Sequence, residues 1–165
     1  AKIFRVERIN THGGSIRIYV KKDKKIKIEN SVKTLMKEEV KFGIKKFKTY
    51  KKFGEKIYKI RDNVIKNIAE LKKKHKKIVG YGSPAKATTA LNFFNITDSI
   101  DFIIEDNQLK QGKFIPGVKI PIKNKDAIKN KSSTILVLAW NFFKEIKKNN
   151  TNLSNKFINI KDLEN

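Results

Sequence analysis

The run IVGYGSPAK, residues 78–86, leaves this chain few ways to fold. A short apolar stretch breaks at a glycine, and a proline and an alanine then open a helix-forming segment. A buried strand that turns directly into a helix is half of a βαβ unit, and that unit needs parallel partner strands and helices on its faces. The sequence that follows supplies them. The pattern predicts a strand over 77–81, a helix over 84–94 and strands over 99–105 and 118–122. A helical turn over 125–129, a strongly apolar strand over 134–139, a helix over 141–148 and a last strand over 156–160 complete the series. We therefore expect an α/β domain with a mostly parallel sheet.

The first half reads differently. Residues 2–10 and 15–21 are rich in β-branched residues, and the second stretch alternates, with Ile16, Ile18 and Val20 on one face and Arg17 and Tyr19 on the other. His12-Gly13-Gly14 between them is turn chemistry, so the two stretches predict an antiparallel pair. From Ser31 the period changes, and Val32, Leu35, Met36 and Val40 predict a short helix ending near Gly43. Tyr50, Phe53, Ile57, Ile60, Val64, Ile68 and Leu71 then recur every three or four residues. They mark one amphipathic helix of about seven turns, whose apolar stripe is expected to pack on the core rather than on another chain, the coiled-coil alternative. It ends in a cationic run containing His75, which suits a helix C-terminus and reads as a capping residue.

The net charge is +23, which raises the question of nucleic acid. Of the 39 basic residues only four are Arg and 35 are Lys, whereas readers of bases and phosphates favour the bidentate Arg fork. The chain is also rich in Ile and Asn, which AT-rich codons favour together with Lys. The charge thus describes a solvated lysine surface that can steer an anion, and nucleic acid is not the expected partner. Cysteine is absent, so disulfides and thiolate chemistry are excluded within these residues, and two distant histidines do not make a zinc site. No apolar run is long enough to span a membrane and no leader is visible, so a cytoplasmic protein is expected. The chain opens directly on strand-like sequence, as a piece of a longer protein would.

Gly80-Tyr81-Gly82-Ser83-Pro84-Ala85 fits G-x-G-x-x-G/A between a strand and a helix, the context that pattern requires. Glycines there allow a tight turn and bring main-chain N–H groups close to an anion at a helix N-terminus. Pro84 suits the first helical turn, and Lys86 with the hydroxyls of Ser83, Thr88 and Thr89 can add donors. The next strand ends in Glu105-Asp106, where such folds place an acid on a ribose hydroxyl. On these residues alone the ligand is a nucleotide or nucleotide-like molecule, and a dinucleotide-binding module of an oxidoreductase is one reading.

Three linked stretches narrow this. HGGSIRIYV near the start, GYGSPAKATTALNF in the middle and IEDNQLKQGKFIPGVKIPI after it resemble, in order and spacing, the C-terminal domain of S-adenosylmethionine-dependent C-methyltransferases acting on nucleotide-linked deoxysugars. The resemblance spans nearly the whole chain. It implies a Rossmann-like C-terminal domain over 76–165, a helical connector over 28–75 and, over 1–27, the end of a preceding methyltransferase sheet. It also implies a zinc-binding segment and a domain holding S-adenosylmethionine upstream, with the catalytic base there too. This chain carries no second glycine loop and no zinc-segment cysteines, so no bound cofactor and no catalytic residue are expected in it, and it should not methylate alone.

The positions carried over as facing a sugar-nucleotide are Gly80, Tyr81, Gly82, Ser83, Pro84, Ala85, Lys86 and Thr88. After the second strand come Glu105, Asp106, Asn107, Lys110, Gln111 and Gly112. Ser83 stands where the family often has Ala, and Glu105-Asp106-Asn107 where it often has a run such as Asp-Arg-Asn. His12 can touch substrate or simply bond its own turn, and Arg17 can pair with an anion or sit on the surface. Trp140 can stack on a base or close the edge of the core. Phe114-Ile115-Pro116-Gly117 reads as a tight turn, and Glu38 and Glu39 as solvent-facing charges. The expected partners are a nucleotide-linked sugar and the methyltransferase domain of the same chain.

Overall fold

A computed structural model describes residues 1–75, 77–128 and 133–165. Lys76, within the cationic run, and Lys129, the end of the expected turn, lie outside the described residues. The chain divides into two units, Ala1–Lys56 and Ile57–Asn165.

In the first unit, strands β1 (Lys2–Ile9) and β2 (Ser15–Lys21) pair antiparallel, with Val6 opposite Ile18 and Glu7 opposite Arg17. The turn between them is a short 3-10 segment in which His12 takes a left-handed φ of 56°. Ile16, Ile18 and Val20, the face that alternation marked as apolar, are exposed. On the other face Glu7 accepts from the Tyr19 hydroxyl at 2.8 Å and pairs with Arg5, while Arg17 lies 3.7 Å away. The Tyr19 bond, then the guanidinium groups, hold the Glu7 carboxyl below its ordinary range against the opposing effect of desolvation. Helix α1 (Asn30–Phe42) ends where expected, because Gly43 takes φ 82° and its N–H returns to Glu39 O and Val40 O.

Helix α2 (Phe47–Lys74) spans 28 residues and contributes to both units. The apolar stripe is buried in its second half only. Val64 and Ile68 are in the core and Ile60 and Leu71 pack against it, whereas Tyr50 and Phe53 are exposed.

The second unit holds the parallel sheet. Strands β3 (Ile78–Tyr81), β4 (Ile103–Ile104), β5 (Ile122–Lys123), β6 (Thr134–Val137) and β7 (Lys156–Asn159) lie in the order β5-β4-β3-β6-β7, every pair parallel. Alternate residues feed two cores. Ile78, Ile103 and Leu136 face one, with Val64 and Ile68 of α2 and Ala87 and Leu91 of α3 (Ala85–Phe94). Val79, Tyr81, Ile104, Ile135 and Val137 face the other, against Phe143 and Ile146 of α4 (Phe143–Asn149). Helices on both faces explain why these strands read as continuous apolar runs rather than alternating ones.

Some boundaries move. β4 is shorter than 99–105: Thr97–Ser99 forms a 3-10 turn, and the strand itself is Ile103–Ile104. β5 begins at Ile122 instead of residue 118. Residues 113–121 fold back on themselves, with Ile115 N–H bonded to Ile120 O and Phe114 bridged antiparallel to Pro121. The first core also explains Gly80, since a Cβ there would lie 2.8 Å from Ile103 Cγ1.

Candidate functional site

The chain leaves β3 toward β4 on one side, while β6 flanks β3 on the other, so the sheet reverses its winding between β3 and β6. Ligands in open α/β sheets bind outside the carboxyl ends of the strands at this kind of switch point. A crevice of about 350 Å³ opens there. Tyr81, the last residue of β3, with Gly82, Ser83 and Pro84 forms one wall, Glu105, Asp106 and Lys110 after β4 a second, and Ala139, Phe142, Glu145, Ile146, Asn149 and Asn150 after β6 the third.

The glycine turn is held from within. Gly82 N–H bonds to Ile104 O at 2.8 Å. Its φ is 86°, and a Cβ would lie 2.7 Å from Ala139 Cβ, so only glycine fits between β3 and the end of β6. Ser83 gives both its N–H (2.9 Å) and its hydroxyl (2.5 Å) to Glu105 Oε2. Lys110 Nζ donates to Ser83 O at 2.9 Å and lies 3.7 Å from Glu105. Burial pushes the Glu105 carboxyl up, but the Ser83 hydroxyl, the N–H groups of Asn107 and Ser83, and the Lys110 ammonium together hold it below its ordinary range. Pro84 precedes the first helical residue in extended conformation, one position earlier than expected.

Behind the crevice Tyr81, 2% exposed, donates its hydroxyl to Asp106 Oδ2 at 2.8 Å and accepts from Asn150 Nδ2 at 3.1 Å. Lys125 Nζ pairs with Asp106 Oδ1 at 3.0 Å. Burial first, and the Asp106 carboxylate second, push the Tyr81 phenol up, so it stays a neutral donor. Burial opposes the Lys125 charge, and its bonds to Asp106 and Tyr81 more than restore it.

Of the residues expected from sequence, Tyr81, Gly82, Ser83, Pro84, Glu105, Asp106 and Lys110 line the crevice. Others support it. Asn107 N–H donates to Glu105 at 3.1 Å and its side chain accepts from Leu109 N–H, Gln111 Nε2 donates to Glu105 O at 2.8 Å, and Gly112 N–H bonds to Ile122 O. Gly80 lies within the sheet, Ala85 opens α3, and Thr88 O accepts from Asn92. Lys86 is not in the lining. Its ammonium sits 4.2 Å above the Trp140 ring, and burial pushes its pKa down. Trp140 packs against the first core, the edge-aromatic reading of that residue. His12 and Arg17 belong to the first unit. Phe142, Glu145, Asn149, Asn150 and Lys125 were not singled out in the sequence, although a strand end at 139 already marks the next residues as crevice-facing.

Among the described residues no group of three or more His, Asp or Glu is placed to hold a metal ion, and no helix is long and apolar enough to cross a membrane. Residues 10–159 match the family model described as C-methyltransferase C-terminal domain. The chain belongs to that family. A relative of this C-methyltransferase domain, the C-methyltransferase NovU of Streptomyces niveus, is 28% identical over 148 residues. The alignment covers 88% of this chain and 35% of the relative, so the chain spans about a third of that protein's length.

Proposed function

We propose that this C-methyltransferase C-terminal domain binds a nucleotide-linked sugar and orients it for methyl transfer at carbon. The observation that carries the reading is the crevice at the β3–β6 switch point, on a chain whose family is defined by C-methyl transfer. In this proposal the protein beyond this chain binds S-adenosylmethionine, supplies the base that removes the proton from the accepting carbon, and carries the zinc segment. The chain's own contribution is binding and positioning, which lowers the barrier by fixing the reacting carbon in place. Glu105, the acid that a dinucleotide module would keep for a ribose, is turned into its own glycine turn, which favours the C-methyltransferase reading over the oxidoreductase one.

Calorimetric titration of the chain with a thymidine diphosphate sugar tests this. Saturable heat at micromolar to millimolar ligand is expected. A folded sample that gives none would remove the binding role.

A further inference from the structure

We infer that the crevice receives an uncharged, hydroxyl-bearing ring of the ligand, stacked on Phe142 and held by Asp106, and keeps the ligand's phosphates outside. The inference rests on the nucleotide-sugar reading above and gives the ligand a direction within the site.

Three observations lead to it. The first is the balance of charge. On a chain of net charge +23, this crevice is lined by the carboxylates of Glu105, Asp106 and Glu145 against a single lining ammonium among the described residues, Lys110. Lys110 is bonded to Ser83 O and lies near Glu105, and the neighbouring Lys125 is paired with Asp106. A diphosphate inside would face carboxylates at short range, although the protein's distant field attracts it toward the mouth.

The second is the state of the glycine turn. The N–H groups of Gly82 and Ser83, the usual cradle of an anion at such a turn, are spent on Ile104 O and Glu105. The two glycines are accounted for by the close approach of Ile103 and Ala139, not by space kept for a ligand.

The third is the chemistry that remains available. Phe142 is 56% exposed although it lines the crevice, so it offers an aromatic face to a ring. The Asp106 side chain is 58% exposed, while Tyr81 and Lys125 fix its orientation from behind. A carboxylate held in this way accepts from hydroxyl or ring N–H donors. A nucleoside and a hexose share this chemistry.

Titrations of the isotope-labelled chain with uridine, glucose and inorganic pyrophosphate, followed by amide NMR, separate the outcomes. Uridine or glucose is expected to shift the amides of Gly82, Ser83, Asp106 and Phe142, and whichever does so identifies the ring. Pyrophosphate is expected to leave those four in place. Phe142→Ala should weaken the ring ligand about tenfold through lost stacking. Asp106→Asn should weaken it by a similar factor, of order tenfold, and let pyrophosphate begin to shift the same amides, a gain that mere loss of structure does not produce.

Pyrophosphate moving those amides in the unaltered chain, or neither ring moving them, overturns the inference. A nucleotide sugar that binds with its phosphates in the crevice overturns the inference and leaves the nucleotide-sugar reading standing. Rings that enter while no nucleotide sugar binds have the opposite effect.

Discussion

Ser83 and Glu105 close the glycine turn on itself: the carboxylate takes both the N–H and the hydroxyl of the serine, at 2.9 and 2.5 Å. The bond joins the end of β3 to the end of β4 and so ties together two of the three walls of the crevice. A serine in place of alanine at this position adds the second of the two bonds. The acid therefore acts as a brace for the turn, and Asp106 is the neighbouring acid that still faces outward.

The brace gives stability a pH dependence. The folded Glu105 carboxyl binds its proton less readily than an unfolded one, whose ordinary value is 4.5. The unfolded chain therefore takes up protons first as pH falls. The stabilisation from Glu105 is complete above that value and is lost as pH drops through the lower folded one. In urea titrations across this range, Glu105→Gln should flatten the acid limb and, at neutral pH, lower stability by about 2 kcal/mol. An unchanged acid limb would show that other carboxylates govern it.

The glycines divide into two kinds. Gly82→Ala meets both a left-handed φ of 86° and Ala139 Cβ at 2.7 Å, with Ala139 held on the sheet. We expect a loss of about 3 kcal/mol, the sum of backbone strain and overpacking. Gly54 lies within α2 with nothing within 4 Å of its Cβ position. Gly54→Ala should instead gain about 0.5–1 kcal/mol. Urea denaturation of the two variants beside the unaltered chain gives opposite signs if the packing account holds.

The sequence revealed the sheet because its strands are buried on both faces and are bounded by turns, so residues 78–81 and 134–137 stand out as apolar runs. It revealed β5 less well. The pairing of Ile115 with Ile120 and of Phe114 with Pro121 depends on the 113–121 excursion folding back, which no periodicity records. The stripe of α2 was legible as a stripe, but burial of Val64 and exposure of Phe53 depend on what lies beside each, and spacing carries no such information. At the site, the turn and the acids after β4 were legible as a motif. The division of labour between Glu105 and Asp106 was not, because it follows from which carboxylate reaches Ser83. The place of Lys86 was not legible for a related reason: position at a helix start does not say which side of the turn a long side chain takes, and its ammonium lies on the Trp140 ring, outside the lining.

Trp140 is the one tryptophan of the chain, so its emission reports on that contact. Lys86→Met removes the ammonium 4.2 Å from the ring and keeps an unbranched side chain there. The emission maximum should shift, and stability should fall by about 0.5–1 kcal/mol, the worth of a partly exposed cation–π contact. An unaltered spectrum would mean that the ammonium does not rest on the ring in solution.

Tyr81 supplies the last test, one that reads the network behind Asp106 directly. The chain has four tyrosines; Tyr19 bonds Glu7 from a half-buried position, and Tyr81 is the fully buried one, its phenol bonded to Asp106. Its folded pKa is raised, first by burial and then by Asp106, so the unfolded chain gives up this proton before the folded one does. Its contribution to stability is therefore complete below the ordinary value of 10.0 and is lost as pH rises above it. In a spectrophotometric titration of phenolate absorbance, one tyrosine should ionise late and together with alkaline unfolding. Tyr81→Phe should delete that late component. It should also cost about 1–1.5 kcal/mol at neutral pH, because the bonds to Asp106 and Asn150 are lost while the ring still fills its place. If the late component persists in Tyr81→Phe, the hydroxyl is not buried against Asp106, and the positioning of that carboxylate loses its basis.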